Sequence, residues 1–249
     1  MQARNLLIDI ECAPAKVWSW SLYPKFIGID QIIEPPRMIS FAARWYGEKK
    51  TVFYSEYHDT RLGMLDALHA LMSEANIVTH FNGKRFDVPW LIGELERENY
   101  PVLPKVQQID LFQIAKSNMR FISNKLDYIS QDLLGQRKVQ NGGFALWKAC
   151  LEEEDTPAKA KAWALMKKYN IQDVDLMVPL FERLRPYIKG VNFALIEGLE
   201  FACTKCASSN LIRRGYSRTG AGKFQRYQCS DCGGWSTDSK RLATTALRA

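Results

Sequence analysis

The sequence predicts an α/β fold, a mixed β-sheet flanked by helices, followed by a small C-terminal module. Apolar runs of strand length alternate with segments of helical spacing over most of the 249 residues, and two Cys-x2-Cys pairs follow near the C-terminus. The apolar content of 47% is sufficient for a large core. No apolar run approaches the roughly 20 residues that cross a bilayer, and the N-terminus lacks a signal-peptide pattern. We therefore expect a cytosolic protein that does not enter a membrane.

The predicted elements occur in the order strand, hairpin, helix, strand, helix, strand and then helices. Strands are predicted at residues 5–10, 37–46, 51–55, 77–81 and 106–110, with the second and third forming the hairpin. Helices are predicted at 60–74 and 85–98, and the chain from 111 to 187 is expected to be mostly helical. This order indicates a mixed sheet flanked by helices, although periodicity alone does not distinguish it from other α/β folds.

A long helix is predicted to begin at Pro157. Thr156 supplies a capping hydroxyl, and proline suits the first helical position because an N–H there has no helical partner. Pro179 is expected to end or kink this helix. The segment 189–202 is then predicted to be a linker or a late strand.

The segment from residue 12 to residue 36 is irregular and rich in aromatic side chains, which are Trp18, Trp20, Tyr23 and Phe26. Two roles are open for them. Trp18 and Trp20 are candidates for stacking on the bases of a nucleic acid, where each stack contributes about 1–3 kcal/mol. Equally, these aromatic rings are candidates for filling the hydrophobic core.

Asp9 and Glu11 end the first predicted strand and are two residues apart. Side chains at i and i+2 of a strand project from the same face, so the two carboxylates are expected to lie side by side. Adjacent carboxylates raise each other's pKa unless a cation intervenes, and Mg²⁺ takes oxygen ligands from such groups. A pair of surface acids at a strand end is the alternative interpretation.

Two further motifs contribute carboxylates. Asn82 is expected to lie in a turn, and Phe86 to anchor the following helix in the core. Asp87 then lies in the first helical turn, where the helix dipole also favours an acid without a function. Tyr169 and Asp173 are four residues apart and share a helix face, although a half-buried tyrosine beside an exposed acid is common.

The order of these motifs resembles the DEDD superfamily of 3′-5′ exonucleases, in its tyrosine-containing branch. The motifs are Asp-x-Glu at residues 9–11, Asn-x3-Phe-Asp at 82–87 and Tyr-x3-Asp at 169–173. The segments 107–111 and 125–135 are similar to polymerase-B-like exonucleases, and the aromatic stretch 17–46 is similar to exonucleases encoded by bacteriophages. The resemblance covers residues 4–188 and implies a ribonuclease H-like fold.

The resemblance also implies a two-metal mechanism that uses Mg²⁺ or Mn²⁺. In this family two divalent ions lie on four carboxylates and stabilise the attacking and leaving oxygens of an in-line displacement. Carried over to this chain, Asp9 bridges both ions, and Glu11 and Asp173 complete the first site. Asp87 holds the second ion. Tyr169 orients the attacking water.

The implied substrate is DNA with a free 3′ end, single-stranded in our expectation, from which 5′-mononucleotides are released. Asn82 and Phe86 are predicted to contact it. RNA is the alternative substrate, because the same metal-dependent hydrolysis cleaves both DNA and RNA, and no residue of the sequence indicates a contact to the 2′-hydroxyl. A binding protein with an inactive nuclease fold is a further alternative, but such proteins usually lack one of the carboxylates. Replication or recombination proteins are candidate partners, and a phage-encoded protein is expected in the host cytoplasm.

The C-terminal module is predicted to be a zinc ribbon. In a cytosolic chain, Cys-x2-Cys pairs favour zinc over disulfide bonds, and four thiolates close a tetrahedral structural site. The predicted Zn²⁺ ligands are Cys203, Cys206, Cys229 and Cys232. Arg226 and Tyr227 are predicted to contact nucleic acid through phosphate pairing and stacking. A structural ribbon that docks on the nuclease or on a protein partner is the alternative.

The net charge of +7 is concentrated in this module. Residues 201–249 hold nine Lys and Arg but two acids, and the rest of the chain is neutral. A basic module suggests a polyanionic partner such as nucleic acid, whereas a solvated charged tail is the alternative. The predicted domains are an exonuclease domain at 1–190, a linker at 191–200, the zinc ribbon at 201–238 and a flexible tail at 239–249.

Overall fold

The computed structural model describes residues 4–138, 142–152, 154–220 and 222–244. Within them the chain divides into two compact units. The first consists of Arg4–Gln113 and Phe121–Leu180, and the second of Ile114–Arg120 and the described residues from Phe181 onward. In this part of the chain, no helix is both long enough and apolar enough to cross a membrane.

The core of the first unit is a mixed β-sheet. The strands of the first unit are β1 (Asn5–Ala13), β2 (Lys16–Val17), β3 (Ile32–Glu34), β4 (Arg37–Trp45), β5 (Val52–Ser55), β6 (Ile77–His80) and β7 (Gln107–Asp110). Five of them form one sheet in the order β5-β4-β1-β6-β7, and the short β2 and β3 pair with each other. The central strand β1 pairs antiparallel with β4 and parallel with β6. The predicted mixed sheet is therefore confirmed.

Helices cover both faces of this sheet. They are α1 (Arg61–Glu74), α2 (Asp87–Arg97), α3 (Leu111–Asn118), α4 (Leu126–Leu134), α5 (Phe144–Cys150) and α6 (Pro157–Leu184). One buried cluster joins α1 and α2 to Ile8 and Phe41, and another joins α5 and α6 to Ile39. A strand that is covered on both faces reads as a continuous apolar run. This explains why β1 is fully buried at its start and becomes partly exposed only in its second half, at Asp9, Glu11 and Cys12.

The long helix α6 begins at Pro157, as predicted, and continues through Pro179 to Leu184. Of the two predicted alternatives, an end of the helix at Pro179 is therefore wrong, and a kink there stays a prediction. A proline removes one backbone hydrogen bond, but packing of an apolar face contributes most of the stability of a helix in a protein. Met177 and Leu180, on either side of the proline, are fully buried.

The second unit contains a three-stranded antiparallel sheet. Its strands are β8 (Leu211–Thr219), β9 (Gly222–Cys229) and β10 (Trp235–Ala243), in the order β10-β9-β8. β10 continues past residue 238, the predicted end of the ribbon, because Arg241 and Ala243 still pair with β9. The predicted tail 239–249 is thus strand as far as Ala243, and residues 245–249 lie outside the described residues.

The segment predicted as a linker, 191–200, contains the short helix α7 (Phe193–Ile196). The side chain of Asn192 caps this helix by accepting the backbone N–H of Leu195 at 3.2 Å. Phe193 is buried. A capped helix with a buried aromatic ring is ordered structure, so the alternative of a late strand is wrong, and the linker bounds 191–200 stay a prediction.

The residues just before this helix belong with the second unit rather than with the predicted domain 1–190. The ring of Phe181 contacts the ring of Phe193, with centroids 6.1 Å apart. The Nε of Arg185 donates a hydrogen bond to the carbonyl of Lys205 at 2.6 Å. These contacts explain why the residues from Phe181 onward belong to the second unit.

Candidate active site

The four predicted carboxylates line one cleft of the first unit, with a volume of about 600 Å³. Asp9 and Glu11 lie on β1 and Asp173 on α6, and one carboxylate oxygen from each lies within 4.8 Å of the others. Asp87, at the start of α2, accepts the backbone N–H of Ile10 at 3.2 Å through Oδ1. This hydrogen bond holds Asp87 against the strand that carries Asp9 and Glu11. The structure therefore brings together residues that lie up to 164 positions apart in the chain.

Burial and mutual repulsion oppose ionisation of these groups. Burial, followed by repulsion from Asp173, raises the pKa of Glu11 to about 8. Burial, followed by repulsion from Asp173, Asp87 and Glu11, raises the pKa of Asp9 well above its usual range. Burial raises the pKa of Asp87 to about 6. A cation among these carboxylates removes much of this electrostatic cost.

The cleft fits a hard divalent cation. Oδ1 of Asp173 is buried and has no hydrogen-bond partner among the described residues, and an unsatisfied buried acceptor costs about 1–3 kcal/mol. Mg²⁺ and Mn²⁺ prefer carboxylate oxygens as ligands. Asp9, Glu11 and Asp173 supply such oxygens, and a bound cation gives the orphaned oxygen of Asp173 a partner.

Tyr169 lines the same cleft, together with Lys138, a residue that no sequence motif indicated. The Lys138 ammonium donates a hydrogen bond to Oδ2 of Asp173 and lies 3.4 Å from the Tyr169 hydroxyl. Burial, followed by repulsion from Asp173, raises the pKa of Tyr169, so this phenol stays protonated at neutral pH. Lys138 lies outside any periodic element, and its backbone N–H donates to Asp127 at 2.7 Å. Spacing rules apply to helices and strands, so they gave no signal for this lysine.

Asn170 is a second neighbour of the carboxylates that the motifs did not indicate. Its Nδ2 donates to Oδ2 of Asp9 at 2.7 Å and to the Asp9 carbonyl at 3.2 Å. Its Oδ1 accepts the Ser40 hydroxyl at 3.3 Å, and both residues are fully buried. The amide thus orients Asp9 without adding charge. Asn170 precedes Asp173 by three residues on α6, and this i, i+3 spacing is the signal that sequence reasoning could have used.

The turn that leads into α2 rests on two buried side chains, His80 and Asp110. Asn82 adopts a left-handed φ of 65°, and its backbone N–H donates to Asp110 at 2.9 Å. The N–H of Gly83 donates to Nδ1 of His80 at 3.1 Å. Burial lowers the pKa of His80, which keeps that nitrogen available as an acceptor. His80 is fully buried, so it supports the turn and is not exposed to substrate.

Asn82 and Phe86, the predicted substrate contacts, both line the cleft. The expectation that Phe86 anchors α2 in the core is wrong, because its side chain is 46% exposed. Phe81 and Phe112 also line the cleft, with ring centroids 5.8 Å apart, and the sequence gave no reason to select them. The carboxylates are therefore bordered by aromatic surface.

Trp18 and Trp20 lie outside the residues that line this cleft. Trp18 is 75% exposed, and Trp20 is fully exposed. The alternative that these rings fill the core is therefore wrong. The backbone N–H of Trp18 donates a hydrogen bond to the carbonyl of Gln31 at 2.8 Å. This bond connects the two ends of the aromatic-rich segment. A stacking role for either tryptophan stays a prediction.

The four predicted zinc ligands meet in the second unit. Their sulfurs lie within 4.8 Å of one another, with 3.6 Å between Cys203 and Cys232 and 3.6 Å between Cys206 and Cys229. Zinc–sulfur bonds of about 2.3 Å in a tetrahedron place sulfurs roughly 3.8 Å apart, whereas disulfide sulfurs lie about 2.05 Å apart. Burial raises the pKa of Cys206 and of Cys232. Burial also tends to raise the pKa of Cys229, but the backbone N–H groups of Cys232 and Asp231 lower it to about 7. The donor set therefore fits a tetrahedral zinc ion.

Arg226 and Tyr227 lie on opposite faces of β9, because successive strand residues alternate. Arg226 is exposed, and its guanidinium lies 4.3 Å from the ring centroid of Trp235. Tyr227 is only 7% exposed, and its ring meets Phe201 edge-on with centroids 5.2 Å apart. The prediction that Tyr227 stacks on a base is therefore wrong, since its ring belongs to the interior of the second unit.

Comparisons with known proteins agree with this fold. The model of the RNase_H superfamily matches residues 35–185, which is more than half of the chain. No curated protein matches the chain. The structure is similar to that of the family B DNA polymerase from the hyperthermophilic archaeon Pyrobaculum calidifontis, with a TM-score of 0.53 and 14% identity over 89% of this chain. The chain spans 32% of that polymerase chain, and at this identity the likeness concerns the fold.

The matched region contains Asp87, Tyr169 and Asp173 and begins just after β3, and so after the strand that carries Asp9 and Glu11. β1 pairs with β4 and β6 of the matched region, so it is part of the same sheet. From the extent of the match and from the five-stranded mixed sheet, we conclude that this chain belongs to the RNase_H superfamily.

Proposed function

We propose that this protein is a metal-dependent 3′-5′ exonuclease that hydrolyses phosphodiester bonds at the 3′ end of single-stranded DNA. One observation carries the proposal. Carboxylates from three separate motifs, in the order typical of the tyrosine-containing DEDD exonucleases, converge with Tyr169 in one cleft. The RNase H-like nuclease fold supports the same reaction class.

The four carboxylates are the proposed ligands of Mg²⁺ or Mn²⁺. Asp9, Glu11 and Asp173 hold one ion, and Asp87 together with Asp9 holds a second. When bound, such ions neutralise the scissile phosphate and stabilise the attacking and leaving oxygens. The ammonium of Lys138 offsets part of the negative charge on Asp173, so the ionised form of this carboxylate is not stabilised by metal alone.

The remaining side chains of the cleft position the water and the substrate. Tyr169 keeps its proton, because burial raises its pKa, so it orients water through a hydrogen bond and does not act as the base. Asn82 and the exposed ring of Phe86 contact the terminal nucleotide. Hydrolysis adds water across the P–O3′ bond, which leaves a 5′-mononucleotide and a new 3′-hydroxyl.

We expect the substitutions Asp9→Asn and Asp173→Asn each to lower turnover by about a thousandfold or more. Each removes a metal ligand, and metal-ion catalysis contributes several kcal/mol at about 1.4 kcal/mol per tenfold in rate. Tyr169→Phe loses only a positioning hydrogen bond and should lower turnover less. The measurement is single-turnover hydrolysis of 5′-labelled oligonucleotides, DNA and RNA in parallel, with Mg²⁺ or Mn²⁺ added.

Asp132→Asn is the matched control, because this exposed carboxylate on α4 lies outside the cleft. The 5′ label should appear in a ladder of progressively shorter products, and a 3′ label should be released first as a mononucleotide. Faster degradation of RNA would change the substrate to RNA and leave the reaction unchanged. Products cut only at internal positions, or wild-type turnover by Asp9→Asn, would refute the proposal.

A further inference from the structure

The sheet of the second unit has one face that is free of carboxylates, and we call it the open face. Residues directly opposite each other on paired strands project from the same face of a sheet. The pairs Ile212 with Gln228, Trp235 with Gln228, Thr237 with Arg226, and Arg241 with Phe224 therefore share one face. The open face is defined by Ile212, Phe224, Arg226, Trp235, Thr237 and Arg241.

The opposite face of the same sheet is turned inward. Tyr227 and Ser236 are paired across β9 and β10, and both are buried. The Ser236 hydroxyl lies 3.0 Å from that of Thr204, and Tyr227 packs against Phe201. On the open face, by contrast, Ile212 is 49% exposed and Trp235 is 43% exposed. Apolar side chains on this face are thus accessible to a partner.

The positive charge of the open face is not neutralised within the second unit. The two acids of the sheet region are engaged by other groups. Asp231 is held in a turn by Ser208 and Asn210, and the Asp238 carboxylate accepts the backbone N–H of Lys240 at 2.9 Å. In the part of the chain that the structure describes, no arginine of β8, β9 or β10 forms an ion pair with a carboxylate.

The first unit shows the opposite behaviour. Most of its arginines form ion pairs with acids, as in the pairs of Arg37 with Glu56 and of Arg61 with Glu94 and Glu98. The basic charge of the open face is therefore specific to the second unit and not a general property of the chain. Charge without an internal partner is available to an external polyanion.

The chemistry of the open face matches a flexible polyanion with exposed apolar rings. The Arg226 guanidinium lies over the ring of Trp235. The stem of Arg241 lies over Gly222, where a side chain on the glycine would meet Arg241 Cδ at 2.8 Å. Both arginines thus lie along the face rather than away from it. Single-stranded nucleic acid offers phosphates to the arginines and unpaired bases to the indole, whereas a duplex hides the faces of its bases.

We propose that the open face binds single-stranded nucleic acid, with Arg226 and Arg241 at phosphates and Trp235 against a base. None of the residues of this site lines the carboxylate cleft, and the proposal does not depend on the proposed exonuclease activity. A protein without nuclease activity can still bind through this face, and an active nuclease can lack such binding.

The test measures binding of the full-length, zinc-loaded protein to a 5′-fluorescein-labelled oligothymidylate of about 20 nucleotides, which exceeds the usual site size of one small binding module. Anisotropy is recorded without added Mg²⁺ or Mn²⁺, over a range of salt concentrations. The variants are Arg226→Gln/Arg241→Gln and Trp235→Leu. The matched control is Lys49→Gln/Lys50→Gln, which removes the same charge from an exposed turn of the first unit.

We expect the double arginine variant to raise the Kd about tenfold. It should also reduce the slope of log K against log salt by about 1.4, since each phosphate contact to a single strand contributes roughly 0.7. Trp235→Leu should raise the Kd about fivefold or more and leave the slope unchanged, because stacking is not ionic. The lysine control should change neither quantity beyond the effect of its net charge.

Zinc content and thermal unfolding show which variants retain the fold, and Trp235→Leu provides an independent variant if the arginine pair is unstable. Three results would overturn the proposal. The first is wild-type binding by both folded variants. The second is a loss in the arginine variant equal to that in the lysine control, which indicates diffuse charge. The third is binding of a duplex of the same length as tightly as the single strand.

Discussion

Asp9 owes its orientation to an uncharged neighbour on another element. The amide of Asn170 donates to Oδ2 and to the carbonyl of Asp9, and Ser40 holds the amide from its other end. A lysine or arginine in this position would compete with a metal ion for the carboxylate. An asparagine orients the Asp9 carboxylate by hydrogen bonds and adds no positive charge. This suits a carboxylate that is the proposed ligand of two cations.

Asn170→Ala is expected to lower turnover by about ten- to a hundredfold, because a hydrogen bond to a charged group contributes roughly 1.5–3 kcal/mol. The concentration of Mn²⁺ at half-maximal activity should rise as well. Asn170→Asp places a second carboxylate beside Asp9, which raises the Asp9 pKa further and should shift the acid limb of the pH–activity profile upward. The measurements are metal titrations and pH profiles of hydrolysis.

Ser40→Ala is the graded control for this prediction. It removes only the hydroxyl that supports the amide, so its effect should be smaller than that of Asn170→Ala. An Asn170→Ala protein with wild-type metal requirement would contradict a positioning role. Unchanged acid limbs in both Asn170 variants would contradict it too.

At the scale of elements, the turn between β6 and α2 controls the position of Asp87. Gly83 lies so close to its neighbours that an added Cβ would be 2.6 Å from His80 Cγ and 2.9 Å from Asp87 Oδ2. Both of these neighbours are buried, so neither has room to move away. The turn therefore requires glycine for close approach and not for an unusual backbone angle.

Gly83→Ala should lower turnover by about a hundredfold, the loss that follows a shift of about 1 Å in a catalytic geometry. It should also reduce the free energy of unfolding by about 1–3 kcal/mol through overpacking. Gly93→Ala in α2 is the control, because the nearest atom to its added Cβ is the flexible end of Arg97 at 3.7 Å. That control should gain about 0.5–1 kcal/mol of stability. Equal activity in the two variants would contradict the close approach at Gly83.

For the whole molecule, the carboxylate cluster couples stability to pH and to metal. The folded protein raises the pKa of Glu11 from 4.5 to about 8 and that of Asp87 from 3.8 to about 6. Between these values the folded state binds protons that the unfolded chain has released. The contribution of these carboxylates to the free energy of unfolding of the metal-free protein should therefore fall as pH rises from 4.5 to about 8.

Thermal unfolding across this pH range, with zinc retained and with or without Mg²⁺, measures the coupling. Added Mg²⁺ should raise the Tm more at high pH than at low pH. At high pH the carboxylates carry fewer protons that the ion has to displace. Glu11→Gln cannot ionise and should flatten the pH dependence of the metal-free protein. A Tm that rises with pH in the metal-free protein, or a Mg²⁺ effect that is independent of pH, would contradict this reading of the cluster.

The second unit should bind one zinc ion per chain and lose its sheet without it. Cys203→Ser and Cys232→Ser each remove a ligand, and structural zinc sites of this type contribute directly to folding. Metal analysis should show the loss of zinc, and hydrogen exchange should show loss of amide protection in β8–β10 but not in β1 and β4. Cys150→Ala, a buried cysteine of the first unit, should keep its zinc. Full zinc content in Cys203→Ser would contradict the assignment.

Local sequence patterns were sufficient to predict most helices and strands and most of the charged residues of the cleft. The apolar run at β1, the hairpin of β4 and β5, and the start of α6 at Pro157 follow from periodicity and capping, which depend on neighbours within a few residues. Asp9 with Glu11 and Tyr169 with Asp173 share faces for the same reason. The grouping of the four cysteines could be predicted in the same way, because a Cys-x2-Cys pair brings two ligands together within one turn.

Other features depend on contacts that no local pattern contains. Lys138 reaches Asp173 across 35 positions, and Ser40 reaches Asn170 across 130. Tyr227 faces the interior while Arg226 faces solvent, and Pro179 is accommodated within α6, because of what packs against each of them. Periodicity specifies which side chains share a face, but burial and hydrogen-bond partners are set by the elements that meet that face after the chain has folded. The carboxylate motifs could therefore be recognised in the sequence, whereas the contacts by which Asn170 orients Asp9 and Lys138 neutralises Asp173 depend on the folded chain.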